Sequence, residues 1–302
     1  MKKILISTIY LFVATCVLYA QDVKFGIRGG MNLPNIMAGG KNTPVSEGYK
    51  SRTAPSWGIF TELQFNPMVS FRFGVEYSGL GGKKNGMQAM PTGRLLTEMV
   101  SGFAGLTGLP PGMEEALGGM MSTMPPYYYA NADNTVKFDY VMIPLLAQFG
   151  WDIGTSPWRA YVNAGPFVSL LLSGKQVSKG TSKLYSDASG TTSLWESIPA
   201  TVQGLIEASL DPQIFSTIKH TLNEEINFEE KNKGETNVTG EMKSTNFGVT
   251  GNVGIRYQHK RNYFFLEVGG NYGFITVQEN DANGSNRLGA ASVVVGYAFS
   301  LF

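Results

Sequence analysis

Residues 245–275 read TNFGVTGNVGIRYQHKRNYFFLEVGGNYGFI. From Thr245 onward Phe247, Val249, Gly251, Val253, Ile255 and Tyr257 fall on one side of an extended chain, and Asn246, Thr250, Asn252 and Arg256 fall on the other. A period of two is the signature of a strand. After the connection Gln258-His259-Lys260-Arg261-Asn262 the pattern resumes, with Phe264, Leu266, Val268, Gly270, Tyr272 and Phe274 opposite Glu267 and Asn271. Each arm keeps the alternation for about ten residues or more, the length a tilted strand needs to cross a bilayer core. The two arms therefore read as a membrane-spanning hairpin, apolar face to lipid and polar face to a lumen. Because lipid cannot satisfy a bare strand edge, further strands must close a barrel.

The same period recurs along the chain. Strand one runs from Val23 to Ile36, with Val23, Phe25, Ile27, Met31 and Leu33 on one face and Lys24, Arg28 and Asn32 on the other. Strand two carries Trp57, Ile59, Thr61, Leu63 and Phe65, and Asn66-Pro67-Met68 makes a tight turn. Strand three returns with Val69, Phe71, Phe73, Val75 and Tyr77 outward and Ser70, Arg72, Gly74, Glu76 and Ser78 inward. Strand four lies within Val136–Trp151; with Val141, Ile143, Leu145, Ala147 and Phe149 on lipid, Asp139 must sit above the membrane or the strand must bulge near it. Strand five, Arg159 to Leu172, contains Pro166, which is awkward in a strand paired on both sides. The opening hairpin supplies strands six and seven, and Gly289–Phe302 is strand eight. The seven connections alternate long and short, as in barrels with short periplasmic turns and long outer loops. A soluble sandwich or barrel has no reason to do so. Aromatic residues fall near the predicted strand ends: Phe65, Phe149, Trp151, Trp158, Tyr257 and Tyr263 at one level, and Trp57, Tyr77, Tyr140 and Phe274 at the other. The predicted fold is all-β: an eight-stranded antiparallel up-and-down transmembrane β-barrel with helical insertions in the long extracellular loops.

The first residues fit export to that destination. Met1-Lys2-Lys3 precedes an apolar run from Ile4 to Val17 and then Leu18-Tyr19-Ala20, so residues 1–20 read as a secretory signal peptide cleaved after Ala20. Residues 21–302 are then one outer-membrane barrel domain, with insertions 81–135 and 173–243 forming a helical extracellular cap. The sole cysteine, Cys16, leaves with the signal, which removes disulfides, thiolate metal sites and a cysteine nucleophile. Loss of Lys2 and Lys3 leaves 22 basic side chains against 23 acidic ones, no surplus with which to hold nucleic acid. Mean hydropathy stays near zero because apolar and polar residues are interleaved.

The opening Lys24-Phe25-Gly26-Ile27-Arg28-Gly29-Gly30-Met31-Asn32-Leu33, the run Tyr140-Val141-Met142-Ile143-Pro144-Leu145-Leu146, the segment Asn163-Ala164-Gly165-Pro166-Phe167 and the terminal Phe302 resemble the PorT-type outer-membrane β-barrel family of Bacteroidota. The resemblance covers most of the barrel and neither long loop. It implies a bacterial outer-membrane location and a porin-like build, and it extends to a branch associated with gliding and secretion. One departure is that Phe302 falls out of phase with Leu301, Phe299 and Tyr297, whereas the terminal aromatic of such barrels ordinarily shares the lipid face.

Three groups of residues are candidates for function. The inward charges Arg28, Glu62, Arg72, Glu76, Arg256 and Glu267 number three of each sign, and folding about Pro67 sets Glu62 opposite Arg72. In a lumen wide enough only for side chains they should form a paired ionic plug; the alternative is a selectivity filter or proton path. In the loops, Leu95, Leu96, Met99, Val100, Phe103 and Leu106 recur at helical spacing, followed by Met113, Leu117, Met120 and Met121. Leu194, Ile198, Val202, Leu205, Ile206 and Leu210 read as one amphipathic helix, and Ile214, Phe215, Ile218 and Leu222 as a second after Asp211-Pro212. These helices read as a cap over the barrel mouth or as an adaptable apolar surface for a ligand or partner. The third group is the two histidines, His220 and His259, and neither has the serine and acid of a recognisable catalytic constellation. No Walker loop, dinucleotide fingerprint or metal-ligand spacing is present, so no cofactor or metal is expected. The role expected is non-enzymatic: structural, or binding and docking at the cell surface, with outer-membrane lipid and an envelope protein as partners. The alternative is a channel or transporter for a small hydrophobic molecule.

Overall fold

The computed structural model describes residues 22–38, 44–93, 95, 119, 122–231, 235–280 and 284–300. In chain order its elements are β1 (Asp22–Ala38), β2 (Ala54–Gln64), β3 (Val69–Pro91), β4 (Tyr127–Asp152), β5 (Trp158–Lys179), β6 (Thr181–Ser182), α1 (Ala200–Ser209), α2 (Pro212–Asn223), β7 (Ile226–Asn227), α3 (Phe228–Lys231), β8 (Thr236–Asn237), β9 (Thr245–His259), β10 (Asn262–Gly273) and β11 (Asn286–Ser300). Eight long strands pair antiparallel in the order β4-β3-β2-β1-β11-β10-β9-β5, and β4 pairs with β5 to close the ring. The seam between the first and last strands runs from Lys24 opposite Ser300 to Ala38 opposite Asn286.

The ring is turned inside out relative to a water-soluble barrel. Val253 is 64% exposed, Phe264 59% and Val268 55%, whereas Glu62 is fully buried. Apolar side chains facing outward around a closed wall are stable only if the surroundings are apolar too. Outward aromatic pairs stand at both levels of this wall: Trp158 lies edge-on to Tyr257 at 5.2 Å near the short turns, and Trp57 stacks on Tyr77 at 5.5 Å near the long connections. Two aromatics expected in those girdles face the other way. Tyr140 and Tyr263 are buried inside the barrel, because their positions in β4 and β10 share the inward phase of Met142 and Phe265.

β4 alternates cleanly along its length, and the irregularity lies in its neighbour. The β4–β5 register shifts between Asp139 and Tyr140, where Ser173 and Leu171 are the partners and Leu172 has none. The extra residue moves β5 by one step, so its buried positions are Tyr161, Asn163, Phe167 and Ser169 below the bulge and Gly174 and Ser178 above it. Asp139 stays on the outer face at this level, where it accepts a hydrogen bond from the Tyr77 hydroxyl at 2.5 Å. Above it the outward residues of β4 become Lys137, Thr135, Asp133 and Asn131, which marks the upper edge of the lipid band. Pro166 is exposed, keeps its pairing with Val249 of β9, and coincides with a gap in the β4 ladder at Leu145 and Leu146.

The wall is taller than the lipid band. β3 continues to Pro91, β4 begins at Tyr127 and β5 runs to Lys179, so the outer parts of segments 81–135 and 173–243 are strand rather than loop insertion. The outward face there meets water, so Gly81-Gly82-Lys83-Lys84-Asn85-Gly86 lacks the apolar alternation that reveals a lipid-facing strand. Over this rim sits a separate apolar cluster that includes Leu95, Leu184, Leu194, Ile198, Ile206 and Ile218.

The cap differs from the expected helix at two points. Leu194 and Ile198 are buried but precede α1, which begins at Ala200 because Pro199, with no amide hydrogen to donate, occupies the N-cap. Leu205 is 61% exposed and does not join the buried face, while Val202 and Phe215 pack partly against it. Leu96, Met99, Phe103, Met120 and Met121 lie outside the described residues. α2 has the start its sequence predicts, with Asp211 accepting from the Gln213 amide at 2.8 Å and Pro212 following the cap. Asp211→Ala should cost the helix about 1 kcal/mol, seen as faster amide exchange across Pro212–Asn223 with exchange in β1 unchanged.

Candidate functional site: the charged lumen and the chamber above it

The inward positions of five strands, β1, β2, β3, β9 and β10, bring the six predicted charges together. Glu62 and Arg72 are register partners across β2 and β3, five residues to either side of Pro67. Their side chains nevertheless find their main partners elsewhere. Glu62 accepts from Arg256 Nη1 at 3.0 Å and from the Tyr263 hydroxyl at 2.5 Å, and its Oε2 lies 3.6 Å from Arg72 Nη2. Arg72 pairs across the lumen with Glu267, which also accepts from the Tyr161 hydroxyl at 2.9 Å and Asn163 Nδ2 at 3.0 Å. Arg28 Nη2 lies 3.4 Å from the other oxygen of Glu267, and Arg28 Nη1 donates to Glu76 at 2.6 Å. Arg256, Glu62, Arg72, Glu267, Arg28 and Glu76 thus form one continuous chain of alternating sign, every member buried. Isolated burial of any of them would be prohibitive; alternation lets each charge face at least one opposite one.

Aromatic rings complete this layer, and glycines make room for them. The Arg72 guanidinium carbon stands 4.6 Å from the Phe60 ring centroid, 5.3 Å from that of Phe265 and 5.7 Å from that of Tyr161. Arg256 stands 4.8 Å from the Tyr263 ring. Phe60, Tyr161 and Phe265 have as register partners Gly26, Gly254 and Gly296. A Cβ at Gly26 would come within 2.2 Å of the Phe60 ring, at Gly254 within 2.4 Å of Tyr161, and at Gly296 within 2.3 Å of Phe265. Each ring therefore lies against the neighbouring strand where no side chain competes, which leaves the axis to the guanidinium groups. The sequence pattern passed over Phe60 and Phe265, and it set Lys24 on the inward face without counting it among the charges; Lys24 is buried below this layer against Asp22 and Gln64.

Above the charges the lumen holds little free space. A space of about 10 Å³ near Arg28, Glu76, Asn252 and Ser292 is room for about one water. An apolar layer follows, made by Ile36, Leu80, Val136, Phe138, Tyr140, Val277 and Leu288. Between it and the cap lies a chamber of about 140 Å³, whose walls include Tyr49, Lys84, Gln88, Asn134, Gln176 and Ser178. The two histidines stand apart from both: His220 is exposed on α2 beside Glu224 at 3.0 Å, and His259 is exposed at the end of β9. Among the described residues no three His, Cys, Asp or Glu side chains stand close enough to hold a metal ion.

Several solved outer-membrane proteins resemble the chain. The Neisserial surface protein A structure is 12% identical, with 91% of this chain and 96% of that chain covered and a TM-score of 0.35. OprG from Pseudomonas aeruginosa is 10% identical, with 94% and 99% covered and a TM-score of 0.32. The attachment invasion locus protein Ail of Yersinia pestis, in complex with a heparin analogue, is 9% identical, with 92% and 100% covered and a TM-score of 0.31. No curated protein matches the chain. The family model described as outer membrane protein beta-barrel domain matches residues 19–279. With that match spanning seven of the eight strands of a closed, apolar-faced ring, the chain belongs to the outer-membrane β-barrel family that this domain defines.

Proposed function

We propose that this outer-membrane barrel is closed to conduction and works as a non-enzymatic binding or docking protein at the cell surface. The observation that carries the reading is the six-membered charge chain. An eight-stranded wall encloses little more than its own side chains, and here the lumen is filled by paired charges with aromatic rings packed around them. An ion passing through would have to separate partners held in a medium of low polarity, which costs far more than their contact in water. The long-connection end faces outward in this reading, the chain is exported with cleavage after Ala20, and segments 81–135 and 173–243 present the cap to a partner. The PorT-type resemblance favours a partner in a secretion or envelope assembly. The competing reading, a channel for a small hydrophobic molecule, requires both the charge chain and the apolar layer above it to part.

Planar-bilayer recordings separate the two. The full chain should be silent, and so should a variant lacking residues 183–231, because the block lies in the lumen and not in the cap. Stepwise conductance from the full chain would overturn the closed-barrel reading. Conductance from the deletion alone would move the barrier from the lumen to the cap and overturn it equally.

A further inference from the structure

Among the described residues five lysine and arginine side chains are buried: Lys24, Arg28, Arg72, Lys84 and Arg256. Four of them face a carboxylate at ion-pair distance. Lys84 does not. It is 8% exposed, and among the described residues no carboxylate stands at ion-pair distance from its ammonium group. Its Nζ donates to the Pro44 carbonyl at 3.0 Å and stands 5.5 Å from the Tyr49 ring centroid. Glu47, on the exposed segment nearby, acts on it only through space, and burial holds its pKa below the ordinary lysine value. An ammonium group has three donors, so Lys84 keeps donors to spare.

The register shows why this matters. Lys84 of β3 is the partner of Asn134 of β4, which is the partner of Ser178 of β5, so the three make one polar rung across the chamber wall. Gln88 closes the rung by accepting from Asn134 Nδ2 at 3.0 Å. Below the rung the chamber is lined by Ile36, Val136, Phe138, Val238 and Val277. The space therefore has a hydrogen-bonding side that carries Lys84 and an apolar side, with one carboxylate, Glu241, in its lining, and a cavity of similar volume elsewhere accommodates a benzene ring.

We propose that this chamber binds a small carboxylate with an apolar body of about the size of one aromatic ring, its anionic head on Lys84 and its body on Val136 and Phe138. The inference rests on the binding role proposed above and names its ligand class. A carboxylate supplies what the other four buried cations already have, a charge-assisted partner. A neutral analogue would leave Lys84 as it stands, and a cationic one would set two like charges together in a confined space.

The test is calorimetric titration of the full chain in detergent with benzoate, benzyl alcohol and benzylamine. Benzoate should bind saturably at one site, benzyl alcohol about tenfold more weakly or worse, and benzylamine not at all. Lys84→Met should erase the preference for benzoate over benzyl alcohol. Equal affinity for benzoate and benzyl alcohol in the unaltered protein would overturn the proposal without recourse to any variant. So would unchanged benzoate binding in a folded Lys84→Met protein, or no saturable benzoate binding at all. Benzoate binding by a barrel that conducts would remove the closed-barrel reading and leave this one standing; failure of benzoate in a silent barrel would remove this one alone.

Discussion

Replacing Glu62 with alanine should destabilise the folded barrel by about 3–5 kcal/mol, the cost of leaving a buried charge without its partner. The loss falls on two groups. Arg256 makes its ion pair with Glu62, and the Tyr263 hydroxyl donates to the same carboxylate. Arg72 is less affected, because Glu267 remains beside it. Urea unfolding in lipid vesicles, followed by tryptophan fluorescence, reads the difference directly. The paired variant Glu62→Leu with Arg256→Leu should be more stable than Glu62→Ala, since it removes the stranded cation along with its partner. Equal midpoints for Glu62→Ala and the unaltered protein would mean that water reaches the lumen and that the charge chain contributes nothing. A paired variant as weak as the single one would place the loss in packing instead of charge.

Gly26→Ala should destabilise the barrel by about 1–3 kcal/mol, the usual penalty for forcing atoms into a filled interior. The three nearest atoms to the added methyl group all belong to the Phe60 ring, at 2.2, 2.4 and 2.8 Å. Phe60 cannot retreat toward the axis without displacing Arg72, 4.6 Å away. The prediction has an internal control in Phe60→Ala. That change should be costly in the native background and much less so in Gly26→Ala, giving a coupling that distant sites do not show. Simple additivity of the two changes would refute the idea that the glycine exists to seat the ring.

Much of this architecture can be read from the chain itself, for a physical reason. Lipid imposes a strict alternation on every strand that touches it, so Phe264, Leu266 and Val268 announce both the strand and its outer face. The inward charges follow from the same phase. What alternation cannot supply is the partner across the lumen: Arg72 meets Glu267 on the far wall more closely than Glu62 beside it, a matter of curvature and side-chain reach. Inward aromatics were also obscured. Tyr263 reads as an interfacial ring until its place opposite Ala298 is known, and Phe60 breaks an alternation that otherwise reserves apolar residues for lipid. The signal that could have found Phe60 is Gly26, an empty position on the adjacent strand. Above the bilayer the outer surface is wet, the alternation lapses, and the upper parts of β3, β4 and β5 resemble loop. At α1 the spacing from Leu194 onward reads as one helix, but Pro199 confines regular hydrogen bonding to Ala200–Ser209 and Leu205 turns outward.

The alternation of charge also bears on how the ring finds its alignment. Sliding β1 by two residues along β2 and β11 would keep every apolar side chain on lipid, so the membrane itself is indifferent to that error. The same slide carries Arg28 about 7 Å along the strand, away from both Glu76 and Glu267, and leaves Arg28 and Glu76 without a partner. The acidic and basic groups are thus a ruler against which the first and last strands are measured as they meet, one that rejects mispaired closures the bilayer would accept.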